Sequence, residues 1–180
     1  MPGSGKSTVG RHLARNLRVP FLDVDAEVER RVGMSVRQYF EQAGEEAFRD
    51  REQETLAELL DGQPAVVSTG GGTVLRPVNR ELLNRHTTVI YLRSTPEESF
   101  RRLRHDTQRP LLQVPDPLRK LRELYSQRDP LYRQAAHYII ETGRPSVPTL
   151  INMILMQLEL AGMVDAGRVP SSVDPRARGS

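Results

Sequence analysis

Pro2-Gly3-Ser4-Gly5-Lys6-Ser7-Thr8 runs directly into Val9, Leu13 and Leu17, three apolar residues at helical spacing. A Gly-Lys-Ser-Thr run opening an amphipathic helix matches the last part of a phosphate-binding loop of the Walker A type. Glycines let backbone N–H groups wrap a phosphate. Lys6 would reach the outer phosphates as a point charge, the Ser7 hydroxyl would coordinate magnesium, and the helix N-terminus adds partial positive charge. An ordinary glycine-rich turn before a helix is the minor reading. The full pattern places another glycine five residues before Gly5, and a strand before that. Both positions fall ahead of Met1, so a chain that begins earlier is expected, with a buried central strand of ~5 residues feeding the loop.

Beyond the loop, short apolar runs alternate with helical patterns. Phe21 and Leu22, Ala65 to Val67, Val89 to Leu92 and Tyr138 to Ile140 read as buried strands, and such alternation predicts a parallel α/β sheet flanked by helices. Ser94 and Thr95 before Pro96 and Glu97 supply a cap, a proline for the first turn and an early acid, so a helix begins there with Phe100 and Leu103 facing inward. Val147, Leu150, Ile151, Ile154 and Leu158 form one stripe of a last helix, and Met153 and Met156 are expected to pack rather than ligate. One domain over 1–162 is expected, followed by a flexible tail over 163–180 that is rich in Gly, Pro, Ser and Arg.

Composition narrows the classes. A chain of 180 residues with 37% apolar content can bury a core unaided. With no cysteine, disulfides, thiol nucleophiles and cysteine metal sites are excluded, and a reducing cytoplasm is the expected location. His12, His86, His105 and His137 lack metal-ligand spacing. No apolar run approaches the ~20 residues a membrane span needs, so no membrane association is expected. A net charge of +3 and a pI near 9.6 call for anionic partners. Aromatics at 5% leave few platforms for stacking bases, so phosphorylated small molecules rank above nucleic acid.

The acceptor side follows from two further motifs. Alternation at the end of the first strand is expected to send Asp23 and Asp25 to the same side, one to serve metal and the other substrate; turn formation or a helix cap near Ala26 is the blander reading. Ser68 and Thr69 run into Gly70, Gly71 and Gly72, where absent side chains let a ligand approach the backbone.

Taken together, Gly3 to Ser7, Asp23 and Asp25, Phe48 with Arg49 and Glu52, Gly70 to Gly72, Arg109 to Leu112, and Arg128 to Tyr132 resemble the shikimate kinase family in order and spacing, over about residues 1 to 160. The resemblance implies a P-loop kinase fold with a small helical acceptor-binding subdomain at about 26–60 and a mobile lid at about 105–117. It implies ATP with Mg2+ held by Gly3, Ser4, Gly5, Lys6, Ser7 and Thr8, with Ser7 and Asp23 as metal ligands. It places Asp25, Arg49, Gly71, Gly72 and Arg128 around shikimate, with arginine suited to its carboxylate by a bidentate fork. Arg109 of the lid would reach the transferring phosphoryl group, and Arg102 and Arg144 would lie near adenine.

The expected chemistry is phosphorylation of shikimate at its 3-hydroxyl, with Lys6 and Arg109 bracketing the phosphate and Asp25 orienting or deprotonating the attacking hydroxyl. A gluconate kinase of the same architecture and a nucleotide-binding module without turnover are the competing readings. A monomer is expected, since no long heptad seam is present.

Overall fold

The structure, a computed structural model, describes residues 6–104 and 114–163. Helix α1 (Lys6–Leu17) leads to strand β1 (Phe21–Asp23) and then to three helices in succession, α2 (Val24–Val32), α3 (Val36–Ala43) and α4 (Glu45–Leu60). Strand β2 (Val66–Ser68) follows, then a 3-10 turn (Thr73–Leu75), α5 (Pro77–His86), β3 (Ile90–Arg93) and α6 (Pro96–Leu103). Helix α7 (Pro117–Ala135), β4 (Tyr138–Glu141) and α8 (Val147–Leu160) complete the described chain.

All pairing is parallel, as the alternation of strands and helices requires. Phe21, Leu22 and Asp23 lie opposite Val66, Val67 and Ser68. Ile90 to Arg93 lie opposite Tyr138 to Glu141. These are two separate strand pairs, β1-β2 and β3-β4, rather than one continuous sheet.

Helices cover both faces. On one side Val9 and Leu13 of α1 pack with Leu150, Ile151, Ile154, Leu155 and Leu158 of α8, and Val66, Ile90 and Leu92 point into that layer. On the other side Tyr91 packs with Val74, Tyr132 and Ala135, while Val67 joins the α2–α5 layer around Val24, Phe48 and Leu56. Each fully buried Leu or Ile contributes about 1.5–3 kcal/mol, so these strands, apolar on both faces, are the center of the fold. Gly10 of α1 is part of this packing: a Cβ there would stand 2.6 Å from the Phe21 ring, so its absence lets β1 close on the helix.

Local capping accounts for most helix boundaries. Ser35 and Thr95 each form a capping box, with Gln38 and Glu98, which satisfies two otherwise unpaired N–H groups per helix start. Gly33 ends α2 at φ 73°, a left-handed conformation that glycine adopts without a Cβ penalty.

Two expectations change. Asp25 is not on a strand: β1 ends at Asp23, which caps α2 by accepting from the Ala26 N–H at 3.1 Å, and Asp25 sits in the first helical turn. The direction of Asp25 is therefore set by helix geometry rather than by strand alternation. Met153 and Met156 are 38% and 52% exposed, on the opposite side of α8 from the Leu150–Leu158 stripe, so they do not fill the core.

The helices α2 to α4 occupy the stretch expected for the acceptor subdomain. Most of the expected lid and all but Met163 of the expected tail lie outside the described residues. Met163 itself folds back, its N–H donating to Leu158 O at 2.9 Å. No helix among the described residues is long and apolar enough to cross a membrane.

Candidate active site

The site lies at the carboxyl ends of β1 and β2, where parallel α/β sheets present their loops. Lys6 opens α1 there, and its Nζ donates to Thr69 O, the residue after β2, at 2.6 Å. Ser7 and Thr8 follow in the first helical turn, and Asp23 ends the neighboring strand. Gly3, Ser4, Gly5 and Arg109 lie outside the described residues.

The three glycines after β2 draw the acceptor residues together. A Cβ on Gly70 would stand 2.8 Å from Asp25 Oδ1 and 3.2 Å from Glu52 Oε2. On Gly71 it would meet Arg128 Nη1 at 3.2 Å and the Tyr132 hydroxyl at 3.3 Å. On Gly72 it would collide with the Arg49 guanidinium. Residues from α2, α4 and α7 thus converge on one short loop, and a side chain at any of its positions would occupy their meeting point.

Each member is held from behind. Glu52, 1% exposed, accepts from Arg49 Nη1 at 2.9 Å and from the Thr73 hydroxyl at 3.1 Å. Arg49 also lies against Phe48, 5.2 Å from the ring center. On α7, the Tyr132 hydroxyl donates to Gly71 O at 2.6 Å. Asp129 accepts from the Tyr91 hydroxyl at 2.8 Å and pairs with Arg93 and Arg133, which locks α7 against β3.

Several buried polar atoms have no hydrogen-bond partner among the described residues: Asp25 Oδ1, Arg49 Nε, Arg128 Nε and Ser68 Oγ. Native interiors rarely leave such atoms unpaired, and groups gathered around a common space in this way are suited to a polar ligand. Burial pushes the Asp25 carboxyl up to about 6, with the Lys6 ammonium opposing and the Glu52 and Asp23 charges adding to the rise. A carboxylate tuned toward neutrality is suited to taking a proton from a hydroxyl.

Farther along the sheet edge, Arg102 donates to Thr142 O at 2.7 Å and to Ser94 Oγ at 3.4 Å, which ties α6 to the loop after β4. Arg144 is exposed on that loop. The structure therefore places Arg102 and the Thr142–Arg144 loop side by side.

Sequence reasoning gave no role to Glu52, Thr73, Tyr132 or Thr69. Two of them had a local signal: Glu52 is one helical turn past Arg49, and Tyr132 one turn past Arg128, spacings that put each pair on one face. Thr73 and Thr69 reach the site only through long-range contacts.

Transfer of a phosphoryl group to an anionic small molecule is the chemistry that a phosphate-binding helix start, set beside a carboxylate and two guanidiniums, is equipped to perform, and the class is that of the P-loop small-molecule kinases. The family model for shikimate kinase matches residues 2–159. The shikimate kinase of Paracidovorax citrulli is 55% identical over 166 residues, covering 91% of each chain. That of Burkholderia thailandensis is 54% identical over 162 residues, covering 90% of this chain and 88% of the relative. Among solved structures, shikimate kinase from Acinetobacter baumannii in complex with shikimate superposes with a TM-score of 0.83 at 45% identity, covering 91% of this chain and 92% of that one. The chain belongs to the shikimate kinase family.

Proposed function

We infer that this chain phosphorylates the 3-hydroxyl of shikimate with ATP and Mg2+, giving shikimate 3-phosphate and ADP. The observation that carries the reading is the glycine loop at 70–72, which gathers Asp25, Arg49 and Arg128 around one space. Two guanidiniums there match a carboxylate, and a carboxyl of raised pKa matches a hydroxyl about to be attacked through.

Lys6, Ser7 and Thr8 hold the phosphates together with Gly3, Ser4 and Gly5, and Arg102 and Arg144 border the adenine. Ser7 and Asp23 would hold magnesium, which would supply charge neutralization at the transferring phosphoryl group. Asp23 fits this part: its cap bond to Ala26 uses one of several acceptor sites on the carboxylate.

Asp25 takes the proton of the shikimate hydroxyl as its oxygen bonds to the γ-phosphorus and the bond to the ADP oxygen breaks. Arg49 and Arg128 fix the acceptor by its carboxylate. Lys6 turns from Thr69 O toward the phosphates, and Arg109 stabilizes the charge they develop.

The test is ADP release with Mg2+ and ATP in the presence of shikimate, gluconate or no acceptor. Shikimate-dependent release is expected; release driven by gluconate instead would overturn the acceptor assignment.

The same geometry predicts the outcome of Gly72→Ala. The added methyl displaces the guanidinium of Arg49, a residue only 8% exposed that has little room to yield. The KM for shikimate should rise about 10–100-fold, the loss of a charge-assisted contact, with the KM for MgATP unchanged. Steady-state kinetics in both substrates checks this.

A further inference from the structure

The 3-10 turn at Thr73–Leu75 joins the glycine loop to α5, whose first residue is Pro77. Proline has no N–H. The Thr73 carbonyl therefore has no backbone donor four residues on, and the Val74 carbonyl has none three residues on. Side chains of α5 supply both. Asn79 Nδ2 donates to Thr73 O at 3.0 Å, and Arg80 Nη1 donates to Val74 O at 2.7 Å and to Leu75 O at 3.3 Å. A turn this short is otherwise weakly held, because 3-10 hydrogen bonds are poorly aligned.

Thr73 is the pivot of the turn, and it is buried, as Asn79 and Glu52 are. While Asn79 holds its carbonyl, its hydroxyl donates to Glu52 Oε2 at 3.1 Å, and Glu52 Oε1 accepts from Arg49 Nη1 at 2.9 Å. The residue before it is Gly72, against which the Arg49 guanidinium lies. Rotation of the Thr73 peptide would therefore shift both supports of Arg49: the hydroxyl that holds its carboxylate partner and the glycine backbone beside it. Just past the turn, Arg76 grips the same helix α4 through Asp50 at 2.8 Å, Gln53 at 3.0 Å and Glu46 at 3.0 Å, so turn and helix move together.

The Asn79 amide engages this interior through Nδ2, since its Oδ1 has no hydrogen-bond partner among the described residues. A buried, unpaired acceptor is destabilizing. An apolar side chain of similar size would avoid that cost and lose only the bond to Thr73. What the amide contributes is thus the orientation of the turn rather than the filling of the core.

We propose that Asn79 is a positioning residue for the acceptor: by fixing the Thr73 peptide it orients Glu52, and through Glu52 the Arg49 guanidinium that binds the acceptor carboxylate. It acts on acceptor binding and leaves the phosphate loop alone. The inference rests on Arg49 as the carboxylate ligand.

The test is steady-state kinetics of Asn79→Leu, alone and combined with Arg49→Met. Leu roughly keeps the volume and removes the donor. For shikimate kcat/KM should fall about tenfold, as for a disturbed contact to a charged group, with the KM for MgATP unchanged. In the Arg49→Met background the same substitution should change kcat/KM for shikimate less than about twofold, because the group it orients is gone. An equal fall in both backgrounds, or a rise in both KM values together, would mean general damage to the fold and overturns the proposal. So do wild-type kinetics for Asn79→Leu. If Asn79→Leu does not fold, Asn79→Ala, which adds no bulk, goes through the same cycle with the same expectations. Full kcat/KM for shikimate in Arg49→Met alone would overturn the reading of Arg49 and this inference with it. A fall there with no effect of the Asn79 substitution overturns this inference only.

Discussion

Replacing Asp25 with Asn should lower turnover about 10²–10⁴-fold, the range that a positioned general base contributes, while MgATP binding persists. The amide keeps the shape and loses the basic oxygen. The wild-type pH profile gives an independent reading of the same group. With a pKa near 6 in the free protein, Asp25 is a competent base only when ionized, so kcat/KM should climb through about pH 6 and level off above it. The residual activity of D25N should lack that limb.

The stability consequence has the opposite sign. A carboxyl raised from its ordinary 3.8 to about 6 favors the folded state when protonated. Its contribution is complete below about pH 4 and is lost as pH rises through 6. At pH 7 the protein carries an ionized, largely buried carboxylate at a cost of about 1–3 kcal/mol. Asp25→Asn removes that cost, so a variant that is nearly inactive should melt several degrees higher than wild type at pH 7. At pH 4 the two should melt together. Equal Tm values at pH 7 would sink the claim that burial tunes this group.

The second large effect is expected at Glu52. Its carboxylate, 1% exposed, is the partner of the buried Arg49 guanidinium and of the Thr73 hydroxyl. Glu52→Ala leaves the buried Arg49 guanidinium with only the exposed Glu45 carboxylate, 3.5 Å away, as its ion-pair partner, at a cost of about 3–5 kcal/mol. For a chain of this length that is a fall in Tm of about 10 °C, with the urea midpoint falling in step. Glu52→Gln keeps the shape and an acceptor for Thr73, so its loss should be smaller. In Glu52→Gln the KM for shikimate should still rise and the KM for MgATP should not, because Arg49 serves only the acceptor. A Glu52→Ala protein melting within about 2 °C of wild type would mean that the pair is solvated.

Much of this molecule was legible from local pattern. Ser94 and Thr95 before Pro96 and Glu97 specify a helix start through residues that are chain neighbors, and the structure places α6 there. The Lys6-Ser7-Thr8 run and the Val9, Leu13 spacing specify a phosphate-binding helix in the same local way, and α1 begins at Lys6. The strands were visible as short apolar runs because helices pack on both sides of them, although β1 is only half-buried and Ile139 of β4 is 46% exposed.

Other features required the tertiary structure. Asp25 was read as a strand-end carboxylate because two acids alternate after Phe21 and Leu22. With Asp23 as its cap, accepting from the Ala26 N–H, the helix starts at Val24, two residues earlier than that pattern suggests, and no periodicity signals it. Met153 and Met156 looked like packing residues by type, yet among the described residues no layer covers their side of α8.

What the sequence determined by itself was the chemistry available: a phosphate loop, a pair of acids, a glycine run and arginines in the order of one kinase family, each readable because its residues are neighbors in the chain. What only the tertiary structure decided was the convergence of Asp25, Arg49, Gly72 and Arg128 on one space and the Glu52–Thr73 clamp behind it. Those depend on contacts across tens of residues, formed only when helices bury their apolar faces against both sides of the strands, and no local window of sequence contains that burial.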